Sequence, residues 1–189
     1  MKKLAILGLL AVAGASQAVT WDSGTGLGWA IPDSPAGPTS WTFSPTVGGG
    51  ALVQFDIFMS PAHTWRSDLA IWISGPSNAP QFLALYNHED GSGDFISAFF
   101  NTGTGVALPA TGNLDSNTSG TTYLASGGAL STVDSSAGLW TLTAVDTAGA
   151  DTGTIDRIRV TTDAVPEPGT FIALGLGGVA LAAMRRRRK

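Results

Sequence analysis

Cysteine is absent from the 189-residue chain, which excludes disulfide staples and thiol chemistry alike. Positive charge is nearly absent from its middle: residues 19–163 hold only Arg66, Arg157 and Arg159, against thirteen carboxylates. The overall charge of -4 conceals this, because the other cations sit at the two ends as Lys2, Lys3, Arg185, Arg186, Arg187, Arg188 and Lys189. An acidic middle excludes nucleic acid as a partner, since its binders need basic patches to displace counterions. Histidine is limited to His63 and His88, and no Gly-x-Ser-x-Gly elbow occurs. A serine-hydrolase triad and a catalytic zinc site are therefore not expected, and neither is hydrolytic activity of the chain's own. No internal repeat and no long helical spacing of apolar residues interrupts residues 19–163.

The ends are read as addresses. Lys2 and Lys3 precede an apolar stretch over residues 4–15, and Ser16-Gln17-Ala18 supplies the small residues a signal peptidase reads, so cleavage is expected after Ala18. At the other end, Val165-Pro166-Glu167-Pro168 leads into an uncharged run over residues 171–184 and the basic cluster of residues 185–189. As a helix that run would reach about 21 Å, short of the roughly 30 Å hydrocarbon core. The terminal cations would hold that end in the cytoplasm, leaving the rest of the protein outside.

Motif, short apolar stretch and basic terminus, in that order, resemble the PEP-CTERM sorting signal of Gram-negative bacteria. The resemblance implies export, first held in the inner membrane by the C-terminal helix. It also implies recognition near the motif by an exosortase, a membrane protease-transpeptidase, in cells that often make exopolysaccharide. The product would reside in the periplasm, on the outer surface or in the extracellular matrix.

Between the addresses the pattern is that of strands. Val53, Phe55 and Ile57 alternate in one run, Leu69, Ile71 and Ile73 in another, and residues 82–86 and 139–143 are further strands. Ile158 and Val160 face one way while Arg157 and Arg159 face the other, as in a half-solvated strand. Gly75-Pro76-Ser77-Asn78, Asp90-Gly91-Ser92-Gly93-Asp94 and Gly149-Ala150-Asp151-Thr152-Gly153 punctuate these runs as turns. The expected fold is all-β, an antiparallel sandwich or jelly roll, with residues 102–119 as a long connection between sheets. The boundaries expected are a signal peptide over 1–18, a lead-in over 19–28, the sandwich over 29–162, a linker over 163–170, an apolar helix over 171–184 and a basic tail over 185–189.

Six ordered blocks carry a second resemblance. They are Ala30-Ile31-Pro32-Asp33 with Ala36-Gly37, His63-Thr64-Trp65-Arg66-Ser67-Asp68-Leu69, Gly75-Pro76-Ser77, Gly91-Ser92-Gly93-Asp94-Phe95, Gly138-Leu139-Trp140-Thr141-Leu142, and the stretch from Asp146 to Thr154. Together they look like the P domain, or P/Homo B domain, that follows the catalytic domain of subtilisin-like proprotein convertases. That family folds as a jelly roll and implies an accessory role beside a serine protease, here acting in trans.

Two kinds of ligand site are suggested by the residues themselves. Calcium wants clustered oxygens, and Glu89, Asp90 and Asp94 form one loop cluster while Asp146 and Asp151 form another. Aromatic faces stack on sugar rings, and Trp72 points away from Leu69, Ile71 and Ile73, toward either a second sheet's interior or a surface patch. Trp41 and Trp140 are expected in the core, and His63 is expected to bond a neighbouring backbone group or Asp68. The expected function is a non-catalytic exported module that binds or structures a component of the envelope or of the extracellular polysaccharide.

Overall fold

The computed structural model describes residues 17–47, 49–77 and 93–163, together with the backbone of 82–86. Residues 1–16 of the expected signal peptide over 1–18, the motif Val165 to Pro168 and the apolar run over 171–184 lie outside the described residues, as do Glu89 and Asp90. Residues Ala18–Asp163 form one compact unit.

Eleven strands dominate it: β1 (Val19–Asp22), β2 (Trp29–Ile31), β3 (Thr39–Phe43), β4 (Leu52–His63), β5 (Leu69–Ser74), β6 (Phe82–Tyr86), β7 (Phe95–Asn101), β8 (Leu114–Asp115), β9 (Thr122–Leu124), β10 (Trp140–Asp146) and β11 (Gly153–Thr162). The one α-helix among the described residues, α1 (Ser116–Ser119), is a single turn. It is capped by the Asp115 carboxylate on the Thr118 N–H, and Gly120 at φ 69° ends it in the left-handed region.

The larger sheet runs β1-β11-β4-β7-β8, with β2 also on β11 and β9 also on β7; the smaller runs β3-β10-β5-β6. Burial follows the expected alternation in part: Leu52 is buried where the alternation predicts Val53, and Asp56 and Ala70 are buried beside the inward residues. Phe55 and Ile57 of β4, Ile155, Ile158 and Val160 of β11, Ile71 and Ile73 of β5, and Leu142 of β10 are all fully buried in one core shared by both sheets. Each such side chain contributes roughly 1.5–3 kcal/mol relative to an exposed one. Trp140 lies at 0 % exposure, its ring tilted against Phe43 at 6.1 Å, and its indole N–H donates to the Ser136 carbonyl at 3.3 Å.

Three expectations change. The sheets are not purely antiparallel, because β8 and β9 both pair parallel with β7. Residues 102–119 do not cross between sheets; they return to the larger one, where Leu114 pairs with Phe95 and Val106 bridges Tyr123. The lead-in is not separate either. Val19, Thr20, Trp21 and Asp22 zip onto Thr162, Thr161, Val160 and Arg159, so β11 is paired along both sides. Trp21 stacks on Phe43 at 5.6 Å and Trp29 on Trp41 at 5.4 Å, which closes one flank of the core with aromatic rings.

Turns are held by side chains of fixed purpose. The Asp134 carboxylate accepts from the Ser77 N–H at 3.0 Å, the Ser136 N–H at 2.9 Å and the Ser77 hydroxyl, fastening the turn after β5 to the loop before β10. These donors hold its pKa down to about 2, led by the Ser77 hydroxyl. Gly75 passes so close to this loop that a Cβ there would stand 1.6 Å from the Asp134 carbonyl oxygen. Arg66 is wholly buried, donating from Nη2 to the Pro109 carbonyl and pinning the loop after β7.

Candidate functional site

The two outer faces differ in chemistry. On the larger sheet, Arg157 binds the Asp22 carboxylate bidentately, while Arg159 reaches Asp56 with Nε at 2.9 Å and Nη2 at 2.7 Å. Both guanidinium groups lie over the Phe58 ring, at 5.0 and 4.9 Å, and Arg159 also lies over Phe99 at 5.1 Å. The hydrogen bond from Arg157 holds the Asp22 carboxyl below its ordinary range. Burial pushes Asp56 upward against the pull of Gln54 and Arg159. Every charge on this face has a partner, so it is a closed ladder rather than an open site.

The smaller sheet carries no charge on its outer face over β3, β10 and β5, where Ser40, Thr42, Thr141, Thr143, Val145 and Trp72 alternate with inward residues. Trp72 is half-buried, pairs with Thr143 in register, and does not pack on the core, unlike Trp21, Trp29 and Trp41. Among the described residues no ring stacks on it. Thr143 also pairs with Ser40, and their hydroxyls meet at 2.8 Å. Trp72, Thr143 and Ser40 thus form one row across three strands, which at 4.7–4.9 Å per strand spans about 10 Å. Trp72 lies on the face turned away from the shared core, where Ser40 and Thr42 are exposed and Ala70, Ser74 and Thr143 are buried.

One end of the unit gathers the histidine and the later acidic loop. His63 pairs with Asp146, not Asp68: Nε2 stands 3.4 Å from Oδ2, with both side chains at 0 % exposure. His63 Nδ1 accepts from the Trp65 N–H at 3.4 Å and Asp146 Oδ1 accepts from the Ala148 N–H at 3.1 Å. Burial raises the Asp146 carboxyl above its ordinary value despite the nearby imidazole. Sequence reasoning missed this pairing because 83 positions separate the residues and only the β4 and β10 ends bring them together.

Asp151 accepts the Thr64 hydroxyl, and Asp33 the Ala150 N–H at 3.0 Å. The Asp146 and Asp151 carboxylates therefore turn to different partners. Asp94 sits elsewhere, its N–H donating to Asn113 Oδ1 at 2.9 Å and its carbonyl accepting from the Leu114 N–H. Among the described residues no three of His, Cys, Asp and Glu stand together to hold a metal ion. Trp65, 44 % exposed beside this end, is an exposed aromatic that the sequence reading passed over; its place in the turn after His63 was the available signal.

Residues 164–189 match the PEP-CTERM protein-sorting motif. The tail is a sorting signal. Such motifs mark exported proteins and imply recognition by an exosortase-type enzyme, in agreement with the tripartite order of the C-terminus. The match covers the tail and not the strands, and no P/Homo B match accompanies it. No curated protein and no solved structure matches the chain. Among the described residues no helix is long and apolar enough to cross a membrane; residues 171–184 are not among them.

Proposed function

We propose that this is a non-catalytic exported module whose smaller sheet contacts an extracellular polysaccharide. The observation that carries the reading is Trp72: a half-buried indole on which no ring stacks among the described residues, on a face that carries no charge over β3, β10 and β5 and is bordered by hydroxyls. An indole offers a broad apolar face for the C–H side of a sugar ring, and the exposed Ser40 hydroxyl, bonded to Thr143, keeps hydrogen-bonding capacity for a sugar's oxygens. Delivery by the sorting route would place this face where polysaccharide accumulates, after the apolar helix has held the precursor in the inner membrane. The finer reading of the strands as a P-domain jelly roll rests on the six ordered sequence blocks, and two sheets around one core are compatible with it.

Retention of the exported chain on exopolysaccharide from its own host tests the reading. Trp72→Ala is expected to lose retention while its melting temperature stays close to the parent's. Trp65→Ala serves as comparator: loss at Trp65 with retention at Trp72 would move the site to the end of the unit. Retention unaffected by either change would remove the polysaccharide reading.

A further inference from the structure

The edges of the two sheets are not equally protected. A strand edge exposes unpaired N–H and C=O groups, and proteins that remain single blunt it with short strands, charges, bulges or cover. Four of the five other edges are treated this way. β8, β9 and β2 are two or three residues long, and β1 is four residues with Asp22 clamped by Arg157. The fifth, β6, pairs with β5 through an irregular register between Ile71 and Trp72.

Among the described residues β3 has none of these devices. Thr39–Phe43 is a regular five-residue strand whose register with β10 is unbroken from Thr39 to Phe43. It contains no charged residue and no proline, the nearest prolines being Pro38 and Pro45. Among the described residues no backbone hydrogen bond reaches its far side. Ser40 and Thr42 are exposed, whereas Trp41 and Phe43 turn inward onto Trp29 and Trp21.

We infer that β3 is a self-association edge, and that its partner is β3 of a second copy of this chain. The choice of partner rests on the strand's own symmetry. Antiparallel pairing about a two-fold axis at Trp41 sets Ser40 opposite the second copy's Thr42, and Thr39 opposite its Phe43. Hydroxyl then faces hydroxyl and β-branched faces aromatic, the cross-strand pairs that stabilise sheets. Such an interface is isologous and closes on itself as a dimer. Two strongly acidic bodies can meet here because the strand and its uncharged sheet face place no carboxylate at the seam. Joining the two smaller sheets makes one continuous surface with two Trp72 side chains, and a polymer touching both gains from effective concentration. The edge pairing itself does not depend on the polysaccharide reading.

The absence of cysteine makes a clean test. Full-length chains carrying Ser40→Cys and Thr42→Cys are produced separately and together, then treated with a mild oxidant. Opposed residues stand about 4.5–5.5 Å apart between Cα atoms, inside the disulfide range of about 4.4–6.8 Å. A Thr42 position and its own copy lie on a diagonal of about 7–8 Å. Cross-linked dimer is expected in the mixture, with several-fold less in either variant alone. Sedimentation equilibrium of the unsubstituted full chain in mild detergent is expected to give twice the monomer mass, falling to one on dilution. A monomer at all concentrations, cross-links equal in the single variants, or cross-linking to a different protein would each overturn the proposal.

Discussion

Replacing Gly75 by alanine sets the close passage after β5 against the loop it touches. The new Cβ would stand 1.6 Å from the Asp134 carbonyl oxygen and 2.6 Å from its carbon, so the two segments must part by roughly 1.4 Å to reach the tightest tolerated contact. The loop cannot yield freely, because the Asp134 carboxylate holds Ser77 and Ser136 and the Ser135 hydroxyl holds the Gly50 carbonyl. Absorbing the overlap as strain costs about 1–3 kcal/mol. Releasing it by breaking one charge-assisted bond costs about 1.5–3 kcal/mol, toward the lower end for a carboxylate with solvent access. Either route destabilises by roughly 1–3 kcal/mol, a fall in Tm of about 2–12 °C for a unit of this size. Gly103→Ala is the control, since nothing lies within 4 Å of its added Cβ and its φ is ordinary; surface changes of that kind stay within about 0.5 kcal/mol. Thermal unfolding followed by tryptophan emission reports directly, Trp140 being bonded to Ser136 beside the same clasp. Melting of both variants within about 2 °C of each other would refute the reasoning.

Two pH-dependent outcomes follow from the carboxylates. Asp134, held down to about 2, stabilises the folded state fully above its unfolded pKa near 3.9 and loses that contribution as pH falls through about 2. Asp134→Asn is therefore expected to melt below the parent at neutral pH, with the gap closing between about pH 4 and pH 2; a gap independent of pH would contradict the assignment. Asp146 has the opposite sign, because burial raises its pKa: its contribution is complete below the unfolded value and is lost as pH rises through the folded one. The melting temperature of Asp146→Asn relative to the parent is expected to climb as pH rises from about 4 toward neutrality, and a falling or level difference in paired calorimetric scans would show that the imidazole outweighs burial.

How much of this was legible depended on whether the information was local. The Arg157 to Val160 run declares both its type and its buried face, whereas Leu69–Ser74 declares its type but is buried on both faces except at Trp72. β7 was missed because Phe95–Asn101 places Phe99 and Phe100 side by side, hiding the period-two pattern. β1 and β2 were missed because four- and three-residue strands among glycines owe their existence to β11, a partner more than 120 positions away. The same distance explains the site. Trp72 facing away from its neighbours could be read from β5 alone, but the row with Thr143 and Ser40 needs the registers of two other strands. The His63–Asp146 pair likewise exists only after the sheets have closed.

The position of β11 bears on how the module carries load. Its last residues lead into the sorting tail, and along its length it is hydrogen-bonded to β4 on one side and to β1 and β2 on the other. Tension arriving through the tail enters β11, which two rows of backbone bonds hold to its neighbours. Tension on the amino end meets only the four residue pairs of β1 with β11, which open one after another from Val19 opposite Thr162. Load entering at Thr162 is thus shared between β4 and β1 from the outset, whereas load entering at Val19 rests first on the β1 pairs alone.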